Sequence, residues 1–290
     1  MMQGRTIWIT GAAGRMGTAL RNCIKENYEC KLVTTDLDVD ITDMAAVDRA
    51  ADIYRPAVII NCASISDAEF CENNMVQAFR VNALGARNLA TVSRRINAKL
   101  IQLSTDDVFE GQTIERLTEF DTPMPVSVYG KSKLAGENYV RELNPKHLIV
   151  RSSWVYGTAK NDYFEFVDRM GSTGTTFEAP VDRVSTPTSA RELAGFILSL
   201  IDKAEYGIFH ASSEGTCSRY EYAREILALR GYDTALVKAC RSREDGLVSS
   251  THLENLMMKM TGLYEMPEWK DDLSRYVASL APRAGKEDER

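Results

Sequence analysis

The stretch "RTIWITGAAGRMG", residues 5–17, combines an apolar run with three regularly spaced glycines. Residues 5–10 are β-branched and apolar nearly throughout, which is typical of a buried parallel strand. Gly11, Gly14 and Gly17 follow at the spacing GxxGxxG, where a backbone can turn tightly and approach a pyrophosphate at a helix N-terminus. A glycine turn that serves packing alone is the other interpretation. In this position the motif favours a strand–turn–helix unit that binds a dinucleotide.

Outward from this unit, the first half of the chain alternates short apolar runs with helical patterns. Met16, Leu20, Cys23 and Ile24 share one face of a helix directly after the glycine turn. Repeated strand–helix alternation predicts βαβ units. We therefore predict an α/β fold with a Rossmann-type, doubly wound parallel sheet. The further strands are expected at residues 31–36, 57–63, 99–104 and 147–154.

The alternation breaks after residue 154, where irregular segments replace the βαβ pattern. Ligands of open α/β sheets bind at the carboxyl ends of the strands, so we expect a smaller substrate-binding region to cover that edge. The expected units are a dinucleotide-binding domain over residues 1–154 plus about 189–206, a substrate-binding region over about 155–188 and 207–282, and a solvated tail over 283–290.

The composition limits the classes of function. The 290 residues carry a formal net charge of −6, with 44% hydrophobic and 26% charged residues, the ordinary balance of a soluble globular protein. Nucleic-acid recognition relies on clustered Lys and Arg, so we expect no nucleic-acid partner. The six cysteines form no CxxC pair, and no apolar run approaches the roughly 20 residues that span a membrane. We expect a cytoplasmic protein without a metal or membrane partner, either a monomer or a homodimer.

An acidic residue at the end of the second predicted strand bears on the choice of cofactor. Asp36 lies 19 residues after Gly17, close to the spacing of about 20 for the carboxylate that bonds the adenosine ribose. A carboxylate there favours NAD because it repels the 2′-phosphate of NADP. Arg15, inside the glycine turn, would soften that preference, and a solvated turn aspartate is the plainer interpretation of Asp36. We expect NAD or NADP, leaning towards NAD.

Two side chains with acid–base chemistry lie four residues apart in "VYGKSKLAGE", residues 128–137. Tyr129 and Lys133 share one face if this segment is helical, so the ammonium group can act on the phenol. A phenol titrates near ~10 unperturbed, and a cation that stabilises the phenolate brings proton transfer towards neutral pH. A surface tyrosine with a solubilising lysine is the alternative. Ser104 and Thr105 end an earlier strand and are candidates for holding a reacting oxygen.

Two adjacent carboxylates, Asp106 and Asp107, follow Thr105 directly. If strand geometry persists, neighbouring side chains point to opposite faces of the strand. That geometry argues against a pair that shares a proton and against a two-carboxylate metal site.

In this order the motifs resemble the dTDP-4-dehydrorhamnose reductase family, an extended branch of the short-chain dehydrogenase/reductase superfamily that acts on nucleotide sugars. The matching stretches are "GAAGRMG", "VNALGARNLA", "LSTDDVF", "VYGKSKLAGE", "RSSWVYG", "STPTSARELA" and "GIFHASSEGTCSRYEYA", and together they extend over about residues 5–280. The resemblance implies an NAD(P)H-dependent reductase of a 4-keto nucleotide sugar.

The resemblance also implies roles for individual residues. Tyr129 would be the general acid that protonates the developing alkoxide, and Lys133 would lower its pKa and bond the nicotinamide ribose. Thr105 would hold the substrate oxygen, with Ser104 beside it. The implied cofactor-binding residues are Gly11, Gly14, Arg15, Met16, Gly17, Asp36, Asp40, Ile41, Cys62, Ala63, Ser64, Asn82, Ser104, Tyr129 and Lys133. The implied substrate-binding residues are Ser66, Thr105, Asp107, Trp154 and Arg183.

The chain departs from the family pattern on the sugar-nucleotide side. Asp107 stands where the family usually has a tyrosine that flanks the substrate, so we expect this carboxylate to face the cleft and tune specificity, with Arg183 as a candidate partner. Asp106 matches the family's aspartate and is expected to bond backbone groups and fix the loop. The other replacements are Leu247 and Val248 for an Arg-Pro pair, and Arg183 and Ser185 for Gln and Gly. The base and the sugar of the substrate therefore stay open.

Two other functions are compatible with the same motifs. A related epimerase or dehydratase would keep the Tyr129–Lys133 pair but retain its NAD through turnover. A non-catalytic NAD(P)-binding regulatory subunit is the alternative from another class, since the regulatory beta subunit of methionine adenosyltransferase is similar across these motifs. The retention of Thr105, Tyr129 and Lys133 favours chemistry.

Overall fold

Six parallel strands form a central sheet in the part of the chain that the structure describes. The computed structural model describes residues 4–109, 111, 115–157, 162–242 and 249–280. The strands are β1 (Thr6–Thr10), β2 (Lys31–Thr34), β3 (Val58–Asn61), β4 (Lys99–Thr105), β5 (His147–Ser152), β6 (Val155–Tyr156), β7 (Phe177–Pro180), β8 (Arg183–Ser185), β9 (Thr188–Ser189), β10 (Gly207–His210), β11 (Cys217–Ser218), β12 (Val237–Cys240) and β13 (Ser249–Ser250).

Helices connect and cover these strands. They are α1 (Arg15–Asn27), α2 (Met44–Tyr54), α3 (Ala68–Asn73), α4 (Met75–Phe79), α5 (Ala86–Arg95), α6 (Val128–Leu143), α7 (Tyr163–Thr173), α8 (Ala190–Ser199), α9 (Arg219–Leu229), α10 (Leu256–Thr261) and α11 (Trp269–Ser279). A π-helix over Arg80–Gly85 joins α4 to α5, and 3₁₀ turns lie at Asp106–Val108 and Thr234–Leu236. Within the described ranges, no helix combines the length and the apolar character that crossing a bilayer requires.

The strand order is β2–β1–β3–β4–β5–β10, and each neighbouring pair is parallel. The predicted parallel α/β sheet is confirmed. The order reverses beside β1, because the chain crosses to β2 on one side and then to β3 on the other. At such a switch point the loops after the strands diverge and leave a crevice at the carboxyl ends, where ligands bind. The glycine turn after β1 lies at this crevice.

Side-chain alternation along β1 explains how both faces of the sheet are covered. Ile7 and Ile9 point to one face and Trp8 to the other, because successive strand side chains alternate. Helices α1 and α8 pack on the first face through residues such as Leu20 and Ile197. Helices α2, α5 and α6 pack on the face of Trp8. The sheet is therefore buried on both sides, as its nearly continuous apolar strands require.

A smaller region with a largely aromatic core packs beside the sheet. Its core includes Tyr156, Phe164, Tyr222 and Trp269, contributed by β6, α7, α9 and α11. Short strands complete it: β8 pairs with β11 and β13, and β7 pairs with β12. This region brings side chains from several distant segments to the crevice.

The segment that begins at residue 207, expected in the substrate-binding region, joins the central sheet. Gly207–His210 forms β10, which pairs in parallel with β5 and places Phe209 beside Val150. Four residues carry too little periodicity to show which sheet they join, since long-range packing sets that pairing. We propose that the dinucleotide-binding domain also includes β10 and that the other expected boundaries hold. The expected tail, residues 283–290, lies outside the described residues.

A buried ion pair attaches α6 to β5. Arg151 Nε donates to Glu137 Oε1 at 3.0 Å and Arg151 Nη2 donates to Glu137 Oε2 at 2.7 Å. Both side chains are 1% exposed. Two parallel N–H···O bonds set the orientation of the partners as well as their separation. Loss of one partner would leave the other charge buried and uncompensated.

We expect Glu137→Leu to lower the free energy of unfolding by about 3–5 kcal/mol, because the Arg151 guanidinium would lose its buried counter-charge. Denaturant unfolding followed by circular dichroism measures this. An Arg151→Met/Glu137→Leu double variant should regain most of the loss. The exposed pair Arg95–Asp52 is the matched control, and Asp52→Ala should change stability by less than about 1 kcal/mol. Equal losses for the two pairs would contradict the assignment.

Candidate active site

Two cavities lie at the carboxyl ends of the central strands. The turn cavity, of about 340 Å³, lies along the glycine turn and the segments that follow β2 and β3. The cleft cavity, of about 440 Å³, lies between the glycine turn and the smaller region. The turn cavity is lined by Gly11, Gly14, Asp36, Leu37, Val39, Asp40, Ile41, Cys62, Ala63, Ser64, Ile65, Gln77 and Val81. The cleft cavity is lined by Arg15, Ser66, Asp67, Trp154, Val155, Tyr156, Asp162, Tyr163, Arg219 and Tyr222.

The three positions of the turn require glycine for different physical reasons. A Cβ at Gly11, whose φ is +63°, would lie 2.5 Å from Ala63 N, and a Cβ at Gly17 would lie 2.4 Å from Gly11 O. Packing of the turn therefore excludes side chains at both positions. Gly14 is different: its backbone is extended, and a Cβ there would meet only Gly11 O at 3.3 Å. Gly14 keeps space open at the N-terminus of α1, where a phosphate group would be stabilised.

Asp36 lies at the wall of the turn cavity and bonds the turn itself. Its Oδ2 accepts from Ala13 N at 2.8 Å, so one carboxylate oxygen is already used. Asp40 and Ile41 line the same wall. Met16 packs its side chain against the core of the sheet, so only its position in the first turn of α1 relates it to this cavity.

The segment after β3 forms the opposite wall of the turn cavity and is held by Asn82. Asn82 Oδ1 accepts from Ile65 N at 2.9 Å, and its Nδ2 donates to Ile65 O and to Ser132 Oγ, each at 2.9 Å. Asn82 is 2% exposed, and both the oxygen and the nitrogen of its amide group take part in these bonds. Its role is therefore to position the wall of the cavity and not to contact a ligand. Burial raises the pKa of the Cys62 thiol to about 12, so this wall carries no thiolate at neutral pH.

Tyr129 and Lys133 lie on α6 beside the end of β4. Lys133 is 5% exposed and its Nζ donates to Leu103 O at 2.6 Å. Burial lowers the pKa of Lys133 to about 8, although Glu137 opposes that shift. Burial, followed by the charge of Asp107, raises the pKa of Tyr129, which is the opposite of the lowering expected from Lys133. The phenol is therefore held in its protonated form in this structure.

The strand geometry expected at Asp106 and Asp107 does not persist. β4 ends at Thr105, and a 3₁₀ turn begins at once with Thr105 Oγ1 accepting from Asp107 N at 3.2 Å. Both carboxylates consequently lie beside one hydroxyl: Thr105 Oγ1 is 3.2 Å from Asp106 Oδ1 and 3.3 Å from Asp107 Oδ2. The expectation of opposite faces is wrong because the turn replaces the pleat. The Thr105 hydroxyl also opposes the rise in the pKa of Tyr129, so the phenol belongs to the same group as this hydroxyl and the two carboxylates.

Asp106 fastens the end of β4 to the smaller region. Ser185 Oγ donates to Asp106 Oδ2 at 3.0 Å, and Thr251 Oγ1 donates to the same oxygen. Burial and the neighbouring charge of Asp107 raise the pKa of Asp106 to about 7. Its expected loop-fixing role agrees with this geometry, but the partners of its carboxylate are hydroxyl groups and not backbone groups.

The expected partner of Asp107, Arg183, is exposed and directed elsewhere. Arg183 Nε donates to Ser242 Oγ at 3.2 Å, and Arg183 lines neither cavity. Burial raises the pKa of Asp107, and attraction to Arg219 and then to Arg183 opposes that shift. Arg183 therefore acts on Asp107 only through space, and Arg219 has the larger effect on the pKa of Asp107.

Arg219 is the site residue that sequence reasoning missed. Its guanidinium carbon lies 3.5 Å from the ring centroid of Trp154 and 4.6 Å from that of Tyr163. Trp154 itself has a φ of +39°, a left-handed conformation that is uncommon for a bulky residue and marks local strain. The stretch "SRYEYA" contains Arg219, but a single arginine in the first turn of an amphipathic helix resembles an ordinary surface cation. Its packing against Trp154, which is distant in the sequence, distinguishes Arg219 from a surface cation.

The cleft cavity joins the glycine turn to the smaller region. Arg15 Nε lies 3.5 Å from Asp162 Oδ2, which connects the start of α1 to the start of α7. Ser66 and Trp154, both expected at the substrate, line this cavity. Leu247 and Val248 lie outside the described residues. Among the residues that are described, no group of three or more His, Cys, Asp or Glu side chains is arranged to hold a metal ion.

Known proteins are similar to this chain over nearly its whole length. The family model of the RmlD substrate binding domain matches residues 5–281. The dTDP-4-dehydrorhamnose reductase of Mycolicibacterium smegmatis is 33% identical over 288 residues, which cover 96% of this chain and 87% of that protein. The similarity thus includes the sheet and the smaller region alike.

Two solved structures have the same architecture. A dTDP-4-dehydrorhamnose reductase from Clostridium acetobutylicum superposes with a TM-score of 0.90 at 38% identity, covering 94% of this chain and 98% of that one. A dTDP-4-dehydrorhamnose reductase from Bacillus anthracis, solved in complex with NADP, has a TM-score of 0.90 at 32% identity and covers 96% of this chain and 100% of that one.

We expect Gly14→Val to fold normally but to lose measurable affinity for NAD(H) and NADP(H), because its side chain would occupy the space that a pyrophosphate needs. The extended backbone of Gly14 accepts any residue. Calorimetric titration measures the affinity, and thermal melting checks the fold. Gly11→Val is the contrasting variant, which should be destabilised because of its positive φ and its contact with Ala63. Wild-type cofactor affinity in Gly14→Val would exclude the assignment.

Proposed function

The chain belongs to the family of the RmlD substrate binding domain, and from that membership we propose that it is a nucleotide-sugar reductase that uses NAD(P)H on a 4-keto group. One observation carries the proposal: Thr105, Tyr129 and Lys133 meet at the carboxyl end of β4. A hydroxyl, a protonated phenol and a buried ammonium group are what the reduction of a carbonyl requires of the protein.

The residues along the turn cavity fit a nicotinamide dinucleotide. Gly14 leaves space at the N-terminus of α1, and the buried Ser104 Oγ has no hydrogen-bond partner within the described part of the chain. We assign the pyrophosphate to the glycine turn and the nicotinamide ribose to Ser104 and Lys133. When bound, the reduced cofactor supplies the hydride. Asn82 and Met16 support these contacts from behind.

Tyr129 is the proton donor in this proposal. Its raised pKa keeps the phenol protonated at neutral pH until an alkoxide develops beside it. Thr105, whose hydroxyl acts on the pKa of the phenol, would orient the substrate oxygen towards Tyr129. Lys133, with a pKa of about 8, remains mostly charged at neutral pH and stabilises the phenolate that proton transfer leaves behind.

The cofactor preference is assigned to Asp36. Its carboxylate at the wall of the turn cavity would accept from ribose hydroxyls and repel a 2′-phosphate, so we propose that NADH is preferred to NADPH. The ratio of kcat/KM for the two cofactors tests this. Asp36→Ser should move the ratio towards NADPH while the turnover number with either cofactor changes little. A wild-type preference for NADPH would overturn the proposal.

The substrate is proposed to be a small-molecule sugar nucleotide, of which the dTDP-4-keto sugars are the first to test. The protein would act as a monomer or a homodimer. Incubation with NADH or NADPH and a panel of 4-keto sugar nucleotides should release oxidised cofactor, followed by nicotinamide absorbance. Conversion of the sugar without net cofactor oxidation would instead indicate an epimerase or dehydratase. Binding without conversion of any sugar would indicate a regulatory subunit.

We expect Tyr129→Phe to lower the turnover number by about 10²–10⁴-fold while leaving cofactor affinity unchanged, because phenylalanine keeps the ring and removes the proton. Steady-state kinetics and calorimetry measure the two quantities. Lys133→Met should lower both turnover and cofactor affinity, since its proposed role is double. Turnover of a true substrate by Tyr129→Phe at the wild-type rate would place the proton donor elsewhere.

Asp107 is proposed to set specificity and not to donate the proton. Asp107→Tyr should shift the ratio of kcat/KM towards the dTDP-4-keto sugar within the substrate panel, because it restores the side chain usual in the family, and cofactor affinity should not change. Asp107→Asn separates shape from charge and should keep at least part of the turnover. Loss of turnover with every substrate in Asp107→Asn, together with little effect of Tyr129→Phe, would make this carboxylate catalytic.

A further inference from the structure

Arg219 is held rigidly at the wall of the cleft cavity. Its guanidinium plane lies against the rings of Trp154 and Tyr163, at 3.5 Å and 4.6 Å from their centroids. Tyr163 Oη donates to Arg219 O at 3.2 Å, and both rings stack in turn on Tyr222. Ser218 and Glu221 form a capping box that fixes the start of α9. Stacking uses the faces of a guanidinium and leaves its edge of N–H donors free for a ligand.

Among the described residues, Arg219 has no counter-ion at contact distance. In the part of the chain that the structure describes, no carboxylate lies within 4.0 Å of its guanidinium, although attraction between Arg219 and Asp107 opposes the rise that burial causes in the pKa of Asp107. The acids of the cavity are otherwise engaged: Asp162 lies 3.5 Å from Arg15, and Asp67 accepts from Phe70 N at the start of α3. The two arginines and two aspartates of the cavity lining balance in formal charge, and Arg219 is the lining arginine without an ion pair among the described residues.

A second potential donor belongs to a residue that lines the same cavity. Tyr222 is 1% exposed and lines the cleft cavity, and its hydroxyl has no hydrogen-bond partner among the described residues. Burying a hydroxyl without a partner costs free energy, and a ligand that accepts from it removes that cost. An unpaired guanidinium and an unpaired phenol at one wall favour an anion with several acceptor oxygens.

We propose that Arg219 binds the diphosphate group of the sugar nucleotide, with Tyr222 as a second donor. The inference rests on the proposed function, because it takes a sugar nucleotide as the ligand. The placement agrees with the reaction, because Asp107 connects the two parts of the site. Its carboxylate is attracted to Arg219 and accepts a hydrogen bond from the Thr105 hydroxyl. A diphosphate at Arg219 would therefore leave its sugar beside Thr105 and Tyr129. Specificity for a diphosphate would then depend on a stacked arginine in the first turn of α9.

Calorimetric titration of the cofactor-loaded protein tests the proposal, with dTDP and UDP as probes and thymidine and uridine as references. Arg219→Gln should weaken the binding of both diphosphates by about tenfold to a hundredfold, which is the range for losing a charge-assisted hydrogen bond. Arg219→Lys should cause a smaller loss, since lysine keeps the charge but not the planar fork. Arg224→Gln is the matched control: Arg224 lies on the same helix over the ring of Tyr220, outside the cleft cavity, and its loss should change nothing.

Several results would overturn the proposal. These are unchanged dTDP and UDP affinity in Arg219→Gln, an equal loss in Arg224→Gln, or diphosphates that bind the wild-type protein no better than the nucleosides. A loss of cofactor affinity in place of diphosphate affinity would assign Arg219 to the phosphates of the dinucleotide and would also overturn it. Should Arg219→Gln fail to fold in a melting experiment, the partial loss in Arg219→Lys decides the matter.

The turnover assay keeps this inference separate from the proposed function. If wild-type protein reduces a keto-sugar nucleotide and Arg219→Gln does so with unchanged KM, the role of Arg219 fails and the reductase assignment stands. If no keto sugar is reduced but dTDP or UDP binding depends on Arg219, the reductase assignment fails and the diphosphate site stands.

Discussion

The buried pair Arg151–Glu137 constrains the helix on which the chemistry depends. Both side chains are almost completely excluded from solvent, and two parallel hydrogen bonds join them, so rotation or sliding of α6 against β5 would expose an unpaired charge to a low dielectric. Gly130, near the start of the same helix, lies so close to Asp107 that a Cβ would be 2.0 Å from its carbonyl oxygen. These two contacts fix α6 in its first turn and near its middle, and with it the positions of Tyr129 and Lys133.

The end of β4 transmits this constraint to the smaller region. Asp106 accepts from Ser185 and Thr251, which belong to segments far away in the sequence, while its neighbour Asp107 shares Thr105 with it. A buried polar network of this kind allows few alternative arrangements, because each displaced group would leave another unsatisfied. The position of the smaller region against the end of β4 therefore depends on these hydroxyl groups.

The charges around the cleft compensate one another. A carboxylate at position 107 would repel an anionic substrate, and in this chain Arg219 and Arg183 act against that charge from the smaller region. Burial, and after it the same carboxylate, raises the pKa of Tyr129 and keeps its proton in place. The charge of Asp107 is therefore understood together with the arginines that attract it through space.

The parts of the fold and site that depend on neighbours in the chain were predictable from sequence. The apolar strands, the glycine turn and the Tyr129–Lys133 pair all follow from short-range spacing, since a strand repeats every two residues and a helix brings every fourth residue to one face. Three features were not predictable in this way: the pairing of β10 with β5, the turn that brings Asp106 and Asp107 to one hydroxyl, and the stacking of Arg219 on Trp154. Each joins segments that are distant in sequence or depends on where a strand stops. Local periodicity carries no information about such contacts, because the free energy that selects them comes from burial and charge pairing in the folded chain.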